Sequence, residues 1–379
     1  MSLKVTTYQK LKLEHGVSGT EKRIATLDIA RGLSVLIMIM VHTLWMYGSV
    51  ETQAESLVGT FLHILGKGTA AFLVLMGFSM AISRNQSPWY WFRRGLLLFS
   101  IGCLLNTLKF IVPIAIFKTM PDSFVAAYGW QLPLSFKQWQ FLFLTGDILQ
   151  FAGVSLIIMA LIAPVLRNTS GILLAIVFIT ITSGELRGWE WSLPGFNYLS
   201  QLLFSATYQV YFPVFPWITC ILSGLVFGRL FLQWDGHQKN TFDRMAVVGV
   251  LGLMLGGSLM LWNFSYHFNN FFHIGPGGIL YLIGLNFIGL RIIFQFDQAI
   301  VSSRLGRLLV WCSERVTSLY GIQWTLICWG MGVIGYQTLT PAQLLSLIPV
   351  TVSLTLLLQW LIDRLLRRKR NGSLVAAKS

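Results

Sequence analysis

The sequence predicts an all-α integral membrane protein, a bundle of about ten transmembrane helices with both termini cytoplasmic. Composition points there first: of 379 residues, 55% are apolar and only 11% charged, whereas a soluble domain carries about 25% charged residues. Patterning agrees, since the apolar residues gather into runs of roughly 20, the length that crosses a bilayer. Charge placement sets the orientation, because Lys and Arg fall on alternate connections between the runs. Mean hydropathy is +0.66. A soluble enzyme, a disordered chain and a secreted disulfide scaffold are excluded. Cys103, Cys220, Cys312 and Cys328 each stand alone in an apolar run, without ligand spacing, and read as small buried hydrophobes.

The first run opens near residue 26. It is too long for a signal-peptide core and no small-residue cleavage site follows, so it is read as a retained helix. Spans are expected near 26–48, 61–83, 94–117, 141–164, 171–184, 213–232, 244–263, 276–294, 316–336 and 343–363. The fifth is short enough to be partly re-entrant. The aromatic stretch "WEWSLPGFNYLSQLLFSATYQVYFP" after it suits an interfacial element. Residues 1–24 form a basic cytoplasmic segment, 25–366 one membrane domain and 367–379 a basic cytoplasmic tail.

Cations mark the cytoplasmic side. The N-terminus carries Lys4, Lys10, Lys12, Lys22 and Arg23, and the tail carries Arg364, Arg367, Arg368, Lys369 and Arg370. Even-numbered connections hold Arg84, Arg93 and Arg94; Arg167; Arg229, Lys239 and Arg244; and Arg291, Arg304 and Arg307. The odd-numbered connections "GSVETQAES" and "NFSYHFNNFFHIGP" hold none. The net charge of +14 is therefore a topology signal, and no nucleic-acid partner is expected, because no solvated domain carries the charge.

Charge inside hydrocarbon is costly and marks a functional candidate. In the first helix, Asp28 and Arg31 share a face at i, i+3. His42 follows Arg31 by nearly three turns on the same stripe, about 16 Å further along the axis. The same residues also fit a blander account: an ion pair snorkelling to the interface and a packing histidine. In the second helix His63 and Lys67 lie at i, i+4, and an interfacial reading is favoured for them; the small residues of "GTAAFLVLMGFS" permit close helix packing. Lys109 lies in the third span beside Asn106, and Asp147 and Gln150 lie on one side of the fourth. His267 and His273 sit in an aromatic loop without dependable metal spacing. Glu314 and Arg315 read as an interfacial pair. No phosphate-binding loop, nucleophile elbow or zinc motif occurs, and no metal is expected.

Five segments in order then carry a resemblance: "RIATLDIARGLSVLIMIMVH", "FLVLMGFSMAIS", "FRRGLLLFSIGCLLN", "GDILQFAGVSLII" and "YFPVFPWITCILSGLVFGR". Over residues from about 23 to 340 the chain resembles the catalytic domain of heparan-α-glucosaminide N-acetyltransferase and its bacterial relatives, within the transmembrane acyltransferase superfamily. The L-D-x-x-R-G opening and the F-P-x-x-P-W segment are the most telling. The resemblance implies acetyl-CoA as co-substrate from the cytoplasm. It also implies acetyl transfer to a sugar on the opposite face, and hence a multi-pass protein of a bacterial inner membrane, in contact with lipid. Asp28, Arg31 and Gly32 match the opening motif. His42 matches the histidine that closes the first helix in the sugar O-acetyltransferase branch; in the heparan branch that place is usually asparagine, with the catalytic histidine shortly after. This chain has none at that later spacing, and His63 falls well beyond it. The implied catalytic residues are His42 with Asp28, and His63 as the weaker candidate. Arg31, Arg93 and Arg94, the last two matching a basic pair at the start of the third helix, are the expected CoA-phosphate ligands. Gln323 stands in "SLYGIQWTLI" where many relatives have histidine.

The expected function is therefore acetyl transfer from acetyl-CoA to a glycan or other small envelope acceptor. O- versus N-linkage, direct transfer versus an acetyl-histidine, and homo-oligomerisation are left open. The competing readings are a transporter with a proton relay through Asp28, Arg31 and His42, and a structural partner of other envelope proteins.

Overall fold

The computed structural model describes residues 23–191, 196–268 and 270–376, with side chains as far as 366. Lys4, Lys10, Lys12 and Lys22 lie outside the described residues. In chain order the helices are α1 (Ala25–Tyr47), α2 (Val50–Glu55), α3 (Leu57–Gly66), α4 (Thr69–Ile82), α5 (Pro88–Asn106, continued by a π-helical segment Thr107–Ile116), α6 (Asp122–Ala126), α7 (Phe136–Leu144) and α8 (Ile148–Leu161). Then follow α9 (Thr169–Leu186), α10 (Asn197–Phe204), α11 (Val214–Gln233), α12 (Gln238–Trp262), α13 (Phe264–Phe268), α14 (Pro276–Ser302), α15 (Arg304–Ser313), α16 (Val316–Ile334) and α17 (Pro341–Ala376). Among the described residues β-structure is limited to two isolated bridges, Gly48 to Leu339 and Gly146 to Val210.

Eight helical stretches are long and apolar enough to cross a membrane: Ala25–Tyr47, Leu57–Ile82, Pro88–Ile116, Thr169–Leu186, Val214–Gln233, Gln238–Trp262, Pro276–Ser302 and Pro341–Leu366. The protein is a multi-pass membrane protein. The fourth and ninth expected spans appear as α8, with 14 residues, and α16, with 19, outside those eight. The expected continuous helix over 141–164 is broken, and the reason is local. Asp147 and Gln150 form a reciprocal capping box that starts α8 anew, after α7 has ended at Leu144. The fifth expected span, α9, is a regular helix of 18 residues, without a re-entrant turn.

Small residues let the helices touch backbone to backbone, as in other membrane bundles. A Cβ placed on Gly77 of α4 would run into the Ile221 carbonyl oxygen of α11, and one on Gly224 into that of Val74. Gly95 and Gly153 do the same for α5 and α8, each facing the other's carbonyl. Gly32, from the opening motif, brings α1 against the backbone of Leu309 in α15. Helix α1 is thereby enclosed by α15, α14, α16, α17, α3 and α4. Its C-terminal end is fastened to the α16–α17 connection: Ser49 N–H donates to the Leu339 carbonyl, and Leu339 N–H to that of Tyr47.

Candidate active site

The two ends of α1 hold different chemistry. At its N-terminal end Asp28 accepts from Arg23 Nε at 2.9 Å, Arg31 Nη1 at 3.2 Å and Ser313 Oγ at 3.0 Å. Arg31 also reaches α4, donating from Nη2 to Ser79 Oγ at 2.7 Å. Arg23 bridges on to Glu314 at 2.6 Å, and this bond holds the Glu314 carboxyl below its usual range. Glu314 also accepts from Arg315, which pairs with Asp363 of α17. The expected Glu314–Arg315 pair is thus one link of a longer chain that ties α1, the α15–α16 junction and α17 together.

At the C-terminal end His42 is 7% exposed. Its ring stacks on Trp324, with centroids 4.1 Å apart and planes at 26°. Tyr320 meets it edge-on and Trp45 lies tilted beside it. Nδ1 has no protein hydrogen-bond partner among the described residues. A small cavity of about 70 Å³ lies against this ring, walled also by Lys109, Asp147, Tyr128, Tyr211, Phe272, Tyr320 and Trp324. Lys109 Nζ stands 3.3 Å from Asp147 Oδ2 and 4.0 Å from the Trp324 ring centroid, within range of a cation–π attraction. Tyr320 donates to the same Oδ2 at 2.6 Å.

Local structure explains why these groups converge. Asp147 is the N-cap of α8, with Oδ1 accepting from Ile148 N at 2.8 Å. Its neighbour Gly146 is bridged to the strand-like stretch before α11: Gly146 N–H donates to the Gln209 carbonyl, and Tyr211 N–H to that of Gly146. Asn106 clamps the same corner, donating to the Thr145 carbonyl at 2.7 Å. The loop bearing Phe272 is held by Trp217 Nε1 at its carbonyl. His267 and His273 serve the same loop, His267 Nδ1 accepting from Gly277 N–H and His273 bonding the Val210 carbonyl. Among the described residues no group of three His, Cys, Asp or Glu side chains could hold a metal.

The predicted residues are thus divided between two places. Asp28 and Arg31 touch; His42 lies about 21 Å from Asp28 along the same helix, so Asp28 does not orient the imidazole directly. His63 is exposed on α3 and does not line the cavity. Arg93 and Arg94 are exposed on α5, where Arg94 donates to Tyr90; among the described residues no hydrogen bond joins either to Arg31. Gln323 is fully buried, and among the described residues its amide has no hydrogen-bond partner. Sequence reasoning noted Lys109 and Asp147 singly and missed their pairing. Two lone opposite charges in successive spans were the available signal, since intramembrane charges pair with one another. Tyr320 and Trp324 carried no such signal.

This helical membrane protein gathers an imidazole, an ammonium and a carboxylate around one cavity, with Arg31 at the far end of the helix that bears the imidazole, groups suited to acid–base chemistry inside a membrane. The family model for the catalytic domain of heparan-alpha-glucosaminide N-acetyltransferase matches residues 23–268, and the chain belongs to that family. Members use acetyl-CoA as donor. The match ends short of residue 340, so Tyr320 and Trp324 lie beyond it. No curated protein matches the chain.

Proposed function

We propose that the protein moves an acetyl group from cytoplasmic acetyl-CoA to a glycan or other small envelope acceptor on the opposite face of a bacterial inner membrane. In this reading the chain crosses ten times, with α8 and α16 completing the eight long spans. Residues 1–24 and 367–379 are then cytoplasmic. His42 is the base that takes the acceptor's proton, or the carrier that transiently holds the acetyl group. A neutral imidazole suits either role. Arg31, Arg93 and Arg94 pair with CoA phosphates, and Asp28 holds Arg31 in place. The extended pantetheine arm spans the roughly 16 Å from Arg31 to His42.

The observation that carries this reading is the position of His42: among the described residues the one histidine on the cavity wall, on the same helix as Arg31, in a chain of an acetyltransferase family. Purified protein in lipid nanodiscs, given acetyl-CoA and a panel of glycan acceptors, should release CoA thiol and label an acceptor. His42→Ala should abolish both. If the wild type consumes no acetyl-CoA with any acceptor, yet proteoliposomes show proton-coupled solute flux that His42→Ala removes, the transporter reading replaces this one.

A further inference from the structure

Lys109 does not behave as a lysine near a membrane surface does. Such side chains run their methylenes along apolar surface and carry the ammonium out to water. Lys109 is 3% exposed, and its ammonium is turned inward to the cavity that holds His42. A buried ion pair is weak evidence for a purely stabilising role, because apolar residues of similar volume often serve as well or better.

The surroundings fix this ammonium closely. Lys109 sits on the π-helical segment, where Pro113 cannot donate to the Lys109 carbonyl as an α-helical residue would; π-helical turns recur at functional sites. Asp147 is immobilised through both oxygens, Oδ1 by Ile148 N and Oδ2 by Tyr320. An ammonium has three N–H donors. Among the described residues only one of them, to Asp147, meets a protein acceptor. Besides Asp147, the ammonium meets only aromatic faces among the described residues, Trp324 at 4.0 Å and Phe110 at 4.9 Å from the ring centroids, and it lies on the cavity wall beside the imidazole.

We propose that Lys109 is a catalytic residue that stabilises the oxyanion of acetyl transfer, with Asp147 and Tyr320 as its positioning residues. The proposal rests on the acetyltransferase reading with His42 as base. As His42 takes the acceptor's proton, the acceptor oxygen or nitrogen bonds to the thioester carbonyl carbon, and the C=O π pair moves onto oxygen. Lys109 N–H donates to that oxygen. The pair then returns, the C–S bond breaks, and the sulfur leaves with its electrons and takes the proton from His42. Acetylated acceptor and CoA thiol result, and Lys109 stays an ammonium and Asp147 a carboxylate throughout. If His42 itself receives the acetyl group first, an oxyanion forms on the same carbonyl oxygen, with the imidazole nitrogen in place of the acceptor atom. A preorganised donor in a water-poor site is the usual source of such stabilisation.

The test compares wild type, His42→Ala, Lys109→Met, Lys109→Arg and the double variant Lys109→Met/Asp147→Asn in nanodiscs, by acetyl-CoA turnover. Lys109→Met should lower kcat by about 10²–10³, the scale for one lost oxyanion donor, with KM for acetyl-CoA within about threefold. Lys109→Arg should keep part of the rate, because the charge remains while the donor's position shifts. The double variant removes both charges and so guards against misfolding of the single one; it should fold and stay inactive. Recovery of activity in the double variant would show a charge-balancing role only and overturn the proposal. So would a Lys109→Met enzyme of near-normal kcat. Wild-type activity that depends on His42 but not on Lys109 sinks this proposal alone, whereas a wild type that never consumes acetyl-CoA sinks the acetyltransferase reading itself.

Discussion

His42 and Trp324 lie ring on ring, centroids 4.1 Å apart, although 282 positions separate them in the chain. The stack joins the outgoing end of α1 to the middle of α16 and holds the imidazole against the cavity. Among the described residues His42 Nδ1 has no protein hydrogen-bond partner, which fits the proposed exchange of a proton with the acceptor.

His42→Ala should fold and bind acetyl-CoA nearly as the wild type does, since the expected phosphate ligand Arg31 is about 16 Å away. Acetyl transfer should fall at least about 100-fold, the scale for a lost general base. His63→Ala, which alters an exposed side chain off the cavity, should lose less than about tenfold. Single-turnover rates of both variants on one acceptor decide this; the reverse ranking would move the catalytic assignment to His63.

The arginines should separate by their neighbours. Arg31→Ala, Arg93→Ala and Arg94→Ala should each weaken acetyl-CoA binding by about 1.5–3 kcal/mol per charge-assisted bond lost, with only partial rescue by Lys. Arg31→Ala should also lower Tm, because Asp28 and Ser79 lose a partner, whereas the exposed Arg93 and Arg94 should not. Isothermal titration with CoA and thermal denaturation in detergent measure the two effects. Unchanged CoA affinity in all three would leave them as topology markers.

Helix packing gives a test independent of activity. Gly77→Leu and Gly224→Leu each force a side chain into a carbonyl of the facing helix and should destabilise by about 3 kcal/mol or more, at the upper end for overpacking. Gly257→Ala, whose Cβ meets nothing within 4 Å, should be neutral or slightly stabilising, since alanine is the better helix former. Equal Tm values for Gly77→Leu and wild type would mean that α4 and α11 do not pack as described.

Orientation is tested by labelling. In a background where the four buried native cysteines are replaced, Glu51→Cys and Ser265→Cys, both at exposed positions, should react with an impermeant maleimide in intact cells. The cation-free connections are expected to face outward. Reaction only after lysis would invert the topology and the proposed direction of transfer.

Hydropathy, helix ends and family resemblance are properties of consecutive residues, so they could be read from the chain. The apolar runs located the spans; the L-D-x-x-R-G opening marked the end of α1, where Asp28 and Arg31 pair; and the stripe placed His42 nearly three turns further on. One boundary failed for an equally local reason: α7 ends at Leu144 and the capping box at Asp147 starts α8 anew, inside a run that hydropathy alone joins. What pairing makes was not legible. Lys109 and Asp147 are 38 positions apart, Tyr320 a further 173 beyond Asp147, and no periodicity relates them. Only the close approach of glycine-faced helices, α5 on α8 and α1 among its neighbours, brings the ammonium, the carboxylate and the phenol to one wall. Once buried there, each charge is held by the other, because water is no longer available to solvate it.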